Sequence, residues 1–399
     1  MTEWEIYNLG ELVTVKGGKR LPKGISLQTE PNSHPYIRIR DMGKSRVLEL
    51  DTTYEYVDDV TQKSIARYIV NKGDVLLSIV GTIGLVGIVG DTLHLANQTE
   101  NCVKLVDCDG IDPLFLYYFL LSPKGQDEIK RGTVGAVQAK LPIKNIENIE
   151  VSLPSLEEQR RIAGILGAID DKIENNRRIN ANLESQAQAL YKQWFVDNRK
   201  DDWEEKQLGE IALHITDGVH NTVIDSPNGE YYLLSCKNIK SGQLFIGSNE
   251  RRIDHETFTR LRKRTRLSHG DILVTSVGTV GEMYLVNESP SNYEFQRSVA
   301  IIKPNNDIIS SYFLYAALLY QQNEIKHLAH GAVQQCIFIS DLKEYSLIVP
   351  NKDDISAFDA VVAPMFNKIG ELQKENETLA TLRDTLLPKL MNGEINVAE

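Results

Sequence analysis

The chain has 399 residues, of which 42% are hydrophobic and 25% charged, an ordinary globular composition that allows two or three domains with cores of their own. Taken alone, its formal net charge of −11 argues against a nucleic-acid partner, because a nucleic-acid-binding protein usually has a basic surface. No apolar run approaches the roughly 18 residues of a membrane span, and the acidic first residues do not resemble a secretory signal, so we expect a cytoplasmic protein.

The first 152 residues predict a mixture of short strands and helices. Tyr36–Arg40 alternates apolar and polar side chains, which is the period of a strand. Val75–Val80 is a short apolar run ended by Gly81, which favours a buried strand over a helix. Pro113–Leu121 predicts a short helix with Asp112 as its N-cap, because proline is well suited to the first helical position.

From Ser155 to Val196 the pattern is that of one long helix. Ser155 and Glu158 form a capping box at its start. Residues at alternating spacings of four and three then form a stripe of a and d positions: Ile162, Leu166, Ile169, Ile173, Asn176, Asn180, Leu183, Ala187, Leu190 and Trp194. A helix of about 40 residues is roughly 60 Å long, and this stripe predicts a coiled coil.

The rest of the chain repeats the same order at an offset of 196 to 199 residues. Trp4–Leu12 returns as Trp203–Ile211, and Lys72–Gly84 returns as His269–Gly281. The tetrapeptide Gly135-Ala136-Val137-Gln138 returns unchanged as Gly331-Ala332-Val333-Gln334, and Ser311–Leu328 is expected to be the second copy of the short helix. A repeat unit of this length indicates duplication of a whole domain, because solenoid repeats are far shorter.

A second helical stripe follows at an offset of 196 residues: Phe358, Val362, Met365, Ile369, Leu372, Asn376, Leu379, Arg383, Leu386 and Leu390. Two such helices in one chain should pair, and the internal duplication predicts that they run antiparallel. Pro364 removes a backbone donor, so we expect the second helix to begin or kink there. Asn180 and Asn376 interrupt the two seams at the same place, where they either fix the register or occupy a wet stretch.

Particular motifs in this order resemble the conserved regions of type I restriction–modification specificity (S) subunits. The run Leu153–Ile162, which closes a domain and opens a long helix, is one of them, and the tail Leu386–Ile395 is another. The succession of recognition domain, long helix, recognition domain and long helix is also similar and covers essentially the whole chain. One departure is Asn351–Ile355, which lacks the glutamine of Ser155–Gln159, so partner docking at that end is expected to differ in detail.

The resemblance implies a DNA-reading subunit without catalytic activity of its own. Each target recognition domain would read one half of a split sequence in double-stranded DNA. The paired helices would act as a ruler and dock two modification (methyltransferase) subunits, which bind S-adenosylmethionine and methylate adenine. Motor-nuclease restriction subunits, which use ATP and Mg²⁺, would then join. No cofactor or metal is expected on this chain, and no membrane.

The expected fold class is therefore α+β. Two homologous mixed α/β target recognition domains, 1–153 and 200–350, are separated by two long helical segments, 154–199 and 351–399. The helices are expected to form an antiparallel coiled coil with a pseudo two-fold. Its expected seam is Ile162, Leu166, Ile169, Ile173, Asn180, Leu183, Leu190, Met365, Ile369, Leu372, Asn376, Leu379 and Leu386.

Candidate DNA contacts follow from the residue types that bind phosphates and base edges. The segment from Arg251 to His269 has a net charge of +5, although the chain as a whole is acidic. Gly-rich loops with glutamines, 131–140 and 331–335, are a second candidate, because glutamine can bond an adenine edge. The full set is Lys16, Lys19, Arg20, Arg38, Arg40, Arg131, Gln138, Lys140, Lys237, Arg251, Arg252, Arg262, Lys263, Arg264, Arg266, Gln334 and Gln335. For the basic segment the alternative is a solvated helix face, and for the loops it is a structural turn.

No enzyme motif is evident in the sequence. Asp112–Phe115 does not match the tetrad of adenine methyltransferases, and Val15–Arg20 lacks the spacing of a phosphate-binding loop. The four cysteines show no CxxC spacing, and the histidines are scattered. Three alternatives stay open: a stand-alone two-headed DNA-binding regulator, an enzyme in its own right, and a coiled-coil adaptor without a DNA role.

Overall fold

The structure is a computed structural model that describes residues 4–43, 45–247, 249–288, 290–331 and 335–397. It divides into two compact units. Unit 1 comprises residues 1–175 and 376–399, and unit 2 comprises residues 176–375. The division cuts each long helix near its middle, so each unit contains one globular domain and about half of each helix.

The globular part of unit 1 contains two main sheets. Its strands are β1 (Glu5–Asn8), β2 (Thr14–Gly17), β3 (Pro35–Ile37), β4 (Val47–Leu48), β5 (Glu55–Tyr56), β6 (Val75–Ser78), β7 (Val86–Val89), β8 (Asn97–Gln98), β9 (Cys102–Val106) and β10 (Glu150–Leu153). The larger sheet has the order β2-β9-β6-β7-β4, the smaller β5-β3-β8, and β1 pairs with β10. The helices are α1 (Leu9–Leu12), α2 (Asp59–Ile65), α3 (Pro113–Leu121), α4 (Pro123–Gly132) and α5 (Ile143–Glu147).

Unit 2 repeats this topology. Its strands are β11 (Glu204–Gln207), β12 (Ala212–Asp217), β13 (Tyr231–Leu234), β14 (Ile239–Lys240), β15 (Gln243–Leu244), β16 (Arg252–Ile253), β17 (Ile272–Thr275), β18 (Met283–Leu285), β19 (Tyr293–Phe295), β20 (Val299–Pro304) and β21 (Ser346–Val349). The order β12-β20-β17-β18 matches four strands of the larger sheet in unit 1, and β16-β13-β19 matches the smaller one. The helices are α7 (Leu208–Ile211), α8 (His255–Thr265), α9 (Ser311–Tyr320), α10 (Gln322–His327) and α11 (Ile339–Glu344).

The two long helices are α6 (Leu156–Tyr191), which continues into a π-helical turn at Lys192–Asp197, and α12 (Lys352–Met391). In unit 1, the Arg383 guanidinium lies 2.8 Å from the Asp170 carboxylate. In unit 2, Asn180 Nδ2 lies 3.4 Å from the Ile369 carbonyl oxygen, and the rings of Tyr191 and Phe358 are 6.2 Å apart. Residue numbers rise along one helix as they fall along its neighbour, so the pairing is antiparallel within each unit. The α+β fold class is confirmed.

Side chains of both stripes lie in the cores of their units. Ile162, Leu166, Ile173, Asn180, Ile369 and Leu372 are buried, and Ile169, Leu183, Leu190, Met365, Asn376, Leu379 and Leu386 are partly buried. Leu387, Leu390 and Met391 of α12 join the same hydrophobic cluster as Leu116 of α3 and Ile162 of α6 in unit 1. The globular domain of unit 1 therefore shares its core with both helices.

Several local expectations were wrong. Helix α12 begins at Lys352 rather than at Pro364 and is continuous through that residue. A kink at Pro364, the other expected outcome, stays a prediction. The strand predicted for Tyr36–Arg40 ends at Ile37, since Asp41 accepts a bond from the Arg38 amide and turns the chain into a 3₁₀ turn. The second short helix is divided at Gln321 into α9 and α10.

The four cysteines are free thiols. Within the described ranges, no group of three His, Cys, Asp or Glu side chains is placed to hold a metal ion. The same residues contain no helix that is both long and apolar enough to cross a membrane.

Candidate nucleic-acid interface

The basic segment of unit 2 forms helix α8, which has one buried and one charged face. Asp254 caps it by accepting a bond of 2.8 Å from the Thr257 amide, and Arg266 ends it in the left-handed conformation with a φ of 49°. Phe258 and Leu261 are buried, and the ring of Tyr231 stacks on Phe258 at 4.1 Å. Spacings of three and four place these apolar residues on one side, so the cations lie on the other.

Arg262 is an exception, since its side chain points into the domain. It forms an ion pair with Glu294, whose side chain is completely buried, and it also donates 2.8 Å to the Tyr293 carbonyl. Thr265 donates to the same carboxylate at 3.0 Å. Burial raises the pKa of Glu294, although Arg262 and Thr265 act in the opposite direction. Arg262 therefore fastens α8 to strand β19.

Three further arginines of this region are also held by the protein. Arg264 donates 3.0 Å to Asp217 and 2.9 Å to the Gly218 carbonyl. Arg251 pairs with Asp225, and Arg252 lies 4.9 Å above the ring of Tyr232. Their charges still contribute to the local potential, but their donors are already partly engaged.

Arg260, Lys263 and Arg266 differ from these anchored residues. Each is exposed, and within the described part of the chain none of their side chains makes a hydrogen bond or an ion pair. A phosphate group could bind them without breaking an internal contact. Arg260 belongs to the basic segment proposed for DNA contact but not to the set of individual candidate residues, although it is one of the seven cations of that segment.

The first domain offers fewer available cations. Lys16 pairs with Asp107, Arg20 with Glu100, and both Arg38 and Arg40 with Glu55. Lys19 is exposed and lies 5.8 Å above the ring of Tyr68. Helix α2, which precedes β6 as α8 precedes β17, has Lys63 as its only cation. The two domains therefore present different charges from equivalent elements.

The glutamine loop of unit 1 is a hairpin. Val134 and Lys140 exchange backbone bonds of 2.8 and 2.9 Å, and the side chains of Gln138 and Lys140 are exposed. Arg131, just before this hairpin, pairs with Glu128. In unit 2 Gln335 is exposed, Gln334 lies outside the described residues, and Lys237 pairs with Glu250. DNA contact by all of these residues stays a prediction.

Gln159 and Arg46 hold the first domain to helix α6, and sequence reasoning did not assign them this role. Gln159 is buried, accepts 2.9 Å from the Asp112 amide and donates 3.0 Å to the Gly110 carbonyl. Arg46 pairs with Asp171 and donates 3.2 Å to the Gly167 carbonyl. The glutamine expected to bear on partner docking is thus an internal clamp, and Ile355 replaces it with an apolar contact in unit 2.

Trp194 and Phe195, at the end of the first helix, pack with the core of unit 2. Phe195 is buried and lies 5.4 Å from Trp203 and 4.9 Å from Phe313, measured between ring centres. Trp194 packs 5.9 Å from Phe358. These rings form the core of unit 2, because the domain that follows the helix folds back onto its end.

Comparison with known proteins identifies the class. The family model described as the type I restriction modification DNA specificity domain matches residues 1–185 and 200–377, once for each domain with its helix. The chain therefore belongs to the type I restriction–modification DNA specificity family. Members of this class are DNA-binding specificity subunits that assemble with other subunits and are not themselves catalytic.

Particular relatives match over nearly their full length. The chain is 26% identical to the type I restriction enzyme MjaIX specificity subunit of Methanocaldococcus jannaschii, across 100% of this chain and 94% of the relative. It is 23% identical to the HindI specificity subunit of Haemophilus influenzae, across 99% and 100%. A solved S subunit from M. genitalium has a TM-score of 0.57 at 18% identity, covers 97% of this chain, and shows the fold alone.

Proposed function

We propose that this chain reads a bipartite DNA target, with each recognition domain contacting one half-site. The observation that supports this most directly is that two domains of the same topology differ in their charged elements, α8 against α2. Because the reading surfaces differ, the half-sites are unlike. The helical segments 154–199 and 351–399 set the spacer between the sites of domains 1–153 and 200–350.

Two modification subunits dock on the helices in this proposal. Ile165 of α6 and Val361 of α12 are both exposed, by 41% and 39%, and they occupy equivalent positions 196 residues apart. A matched exposed apolar side chain in each unit suits two copies of one partner, since an apolar surface gains from removal from water. Motor-nuclease restriction subunits complete the assembly, and S-adenosylmethionine, ATP and Mg²⁺ are held by the partner subunits.

The isolated chain is expected to bind DNA weakly. Its net charge is −11, and the segment from Asp353 to Glu399 alone has a net charge of −5. Phosphates are repelled by such a segment unless partner subunits supply positive charge. This expectation separates the proposal from a stand-alone regulator, which would bind its target tightly without partners.

The test is to map adenine methylation in cells that contain the modification subunits, with and without this chain. We expect one split motif to be methylated only when the chain is present, and the purified chain to methylate and cleave nothing. Methylation of the same motif without the chain, or tight specific binding by the chain alone, would contradict the proposal.

A further inference from the structure

Each domain contains a pair of adjacent loops that are built in the same way. The first is the turn Gly81–Gly84 in unit 1 and Gly278–Gly281 in unit 2. The Ser78 hydroxyl donates 2.7 Å to the Thr82 carbonyl and accepts 2.8 Å from the Leu85 amide. The Thr275 hydroxyl makes the same two bonds, to the Thr279 carbonyl and from the Glu282 amide.

The second loop is the hairpin 134–140 in unit 1, and its counterpart in unit 2 closes in the same way. His330 and Cys336 exchange backbone bonds of 2.8 and 2.9 Å, as Val134 and Lys140 do. Gly135 and Gly331 begin the two loops with φ values of 98° and 103°, which other residues rarely adopt. Each hairpin lies beside its turn, since Leu141 donates to the Ile79 carbonyl and Ile337 to the Ser276 carbonyl, both at 2.9 Å.

The two loops share their sequence as well as the backbone bonds that close them, whereas the charged helices α2 and α8 differ between the domains. Gly-Ala-Val-Gln is identical in both copies. In the hairpin of unit 1, Val137 is completely exposed, with 103% of its reference surface, and Gln138 next to it is also exposed. Packing within the domain does not account for a fully exposed valine, and the same tetrapeptide stands in both copies although their charged helices differ, which points to a shared contact with another molecule.

Resting on the proposed function, we infer that the shared hairpin contacts the one feature that two unlike half-sites have in common. Each half-site must offer an adenine to its modification subunit, so each contains an A·T pair at the methylated position. Valine suits the methyl group of thymine, and glutamine suits polar base edges. Val137 and Gln138 therefore recognise the methylated pair in the half-site of the first domain, whereas diverged elements such as α2 and α8 read the remaining bases.

The test uses the complex with its modification subunits and duplexes that carry the methylated motif. Thymine opposite the methylated adenine is replaced by uracil, which lacks only the methyl group, in one half-site at a time. We expect the wild-type complex to lose about fourfold in affinity for each replacement, which is the value of one buried methyl group. The Val137→Ala complex should bind thymine and uracil duplexes equally well when the replacement is in the half-site of the first domain. It should keep the loss of affinity when the replacement is in the other half-site. Ile6→Ala, at an isoleucine of β1 that is 66% exposed, should keep the uracil effect in both half-sites.

A loop exchange gives an independent result. Ala139→Gln with Lys140→Cys converts the first hairpin to the Gly-Ala-Val-Gln-Gln-Cys sequence of the second. We expect the methylated motif to stay the same. Three outcomes would overturn the inference: the loop exchange changes the methylated motif, the wild-type complex binds uracil duplexes as tightly as thymine duplexes, or the Val137→Ala complex keeps the uracil effect in both half-sites. In each case sequence-specific methylation would still support the proposed function. Loss of sequence-specific methylation in the wild-type complex would instead reject the proposed function itself.

Discussion

At the scale of single residues, the neighbours Arg262 and Lys263 have opposite roles although the sequence presents them alike. Replacing Arg262 with alanine leaves the buried Glu294 carboxylate without its cation, and we expect unit 2 to lose about 3 kcal/mol of stability. Replacing the exposed Lys263 should change stability by less than about 0.5 kcal/mol. Urea unfolding, monitored by hydrogen exchange of the amides of unit 2, measures the stability of both variants.

The same pair of variants separates folding from DNA contact. For Lys263→Ala in the assembled complex, we expect the slope of log affinity against log salt to fall by about one, for cognate and unrelated DNA alike. An unchanged slope would mean that Lys263 does not touch a phosphate. Equal stability of the two variants would contradict the buried ion pair.

Gln159 offers a second prediction. Alanine there removes the acceptor of the Asp112 amide and the donor to the Gly110 and Pro154 carbonyls, and we expect a loss of about 2 kcal/mol in unit 1. Exchange protection of α3 is the measurement, with the exposed Gln138→Ala as control. The methylated motif should not change, because Gln159 is buried away from any ligand. A Gln159→Ala variant that is as stable as the wild type but methylates a different motif would contradict this structural role of Gln159.

Sequence reasoning could not have separated these residues. Arg262 and Lys263 occupy adjacent positions of one helix, and only the buried Glu294 on a strand 32 residues away decides which cation turns inward. Likewise two of the partners of Gln159, Asp112 and Gly110, lie on a loop 47 and 49 residues earlier. Such pairings depend on tertiary contacts, which no local pattern contains.

At the scale of elements, the sequence was more informative because periodicity and capping are local. The stripes of α6 and α12 indicated both long helices, and the internal duplication indicated their antiparallel pairing. Asp112 caps α3 as expected, through bonds from the Leu114 and Phe115 amides. The ends of short strands were harder to predict. Strand β3 is only three residues long and ends where Asp41 accepts a hydrogen bond from the Arg38 amide. The internal repeat supplied the shared topology of the two domains before any strand was assigned.

The asparagine of the first seam now has a defined setting. Asn180 is 4% exposed, its Oδ1 has no partner among the described residues, and it lines a cavity of about 170 Å³ together with Glu184 and Tyr315. Several water molecules fit in such a space. This setting favours the wet stretch over a role in fixing the register.

We therefore expect Asn180→Leu to leave unit 2 as stable as before or to stabilise it by about 1 kcal/mol, because it removes an unsatisfied buried acceptor and fills space. Urea unfolding of unit 2 is the measurement, with Ala189→Leu, at an exposed position of the same helix outside the cavity, as control. A loss of more than about 1 kcal/mol would restore the case for a register function.

At the scale of the whole molecule, recognition should be modular. If residues 200–350 are replaced by the corresponding domain of a related subunit, we expect one half of the methylated motif to change while the other half and the spacer stay the same. The physical reason is that each domain has its own sheets, core and charged surface. Methylation mapping of the hybrid is the measurement. A change in both halves, or a new spacer length, would contradict division of labour between domains.

The composition of unit 1 from two distant segments also fixes an order of events during synthesis. A ribosome makes all of residues 176–375 before residue 376, so every residue of unit 2 has been synthesised before the second segment of unit 1. Unit 1 needs Leu387, Leu390 and Met391 to close its core. The domain that is translated first is therefore completed last, and a nascent chain halted before Leu387 exposes the apolar surface that chaperones bind.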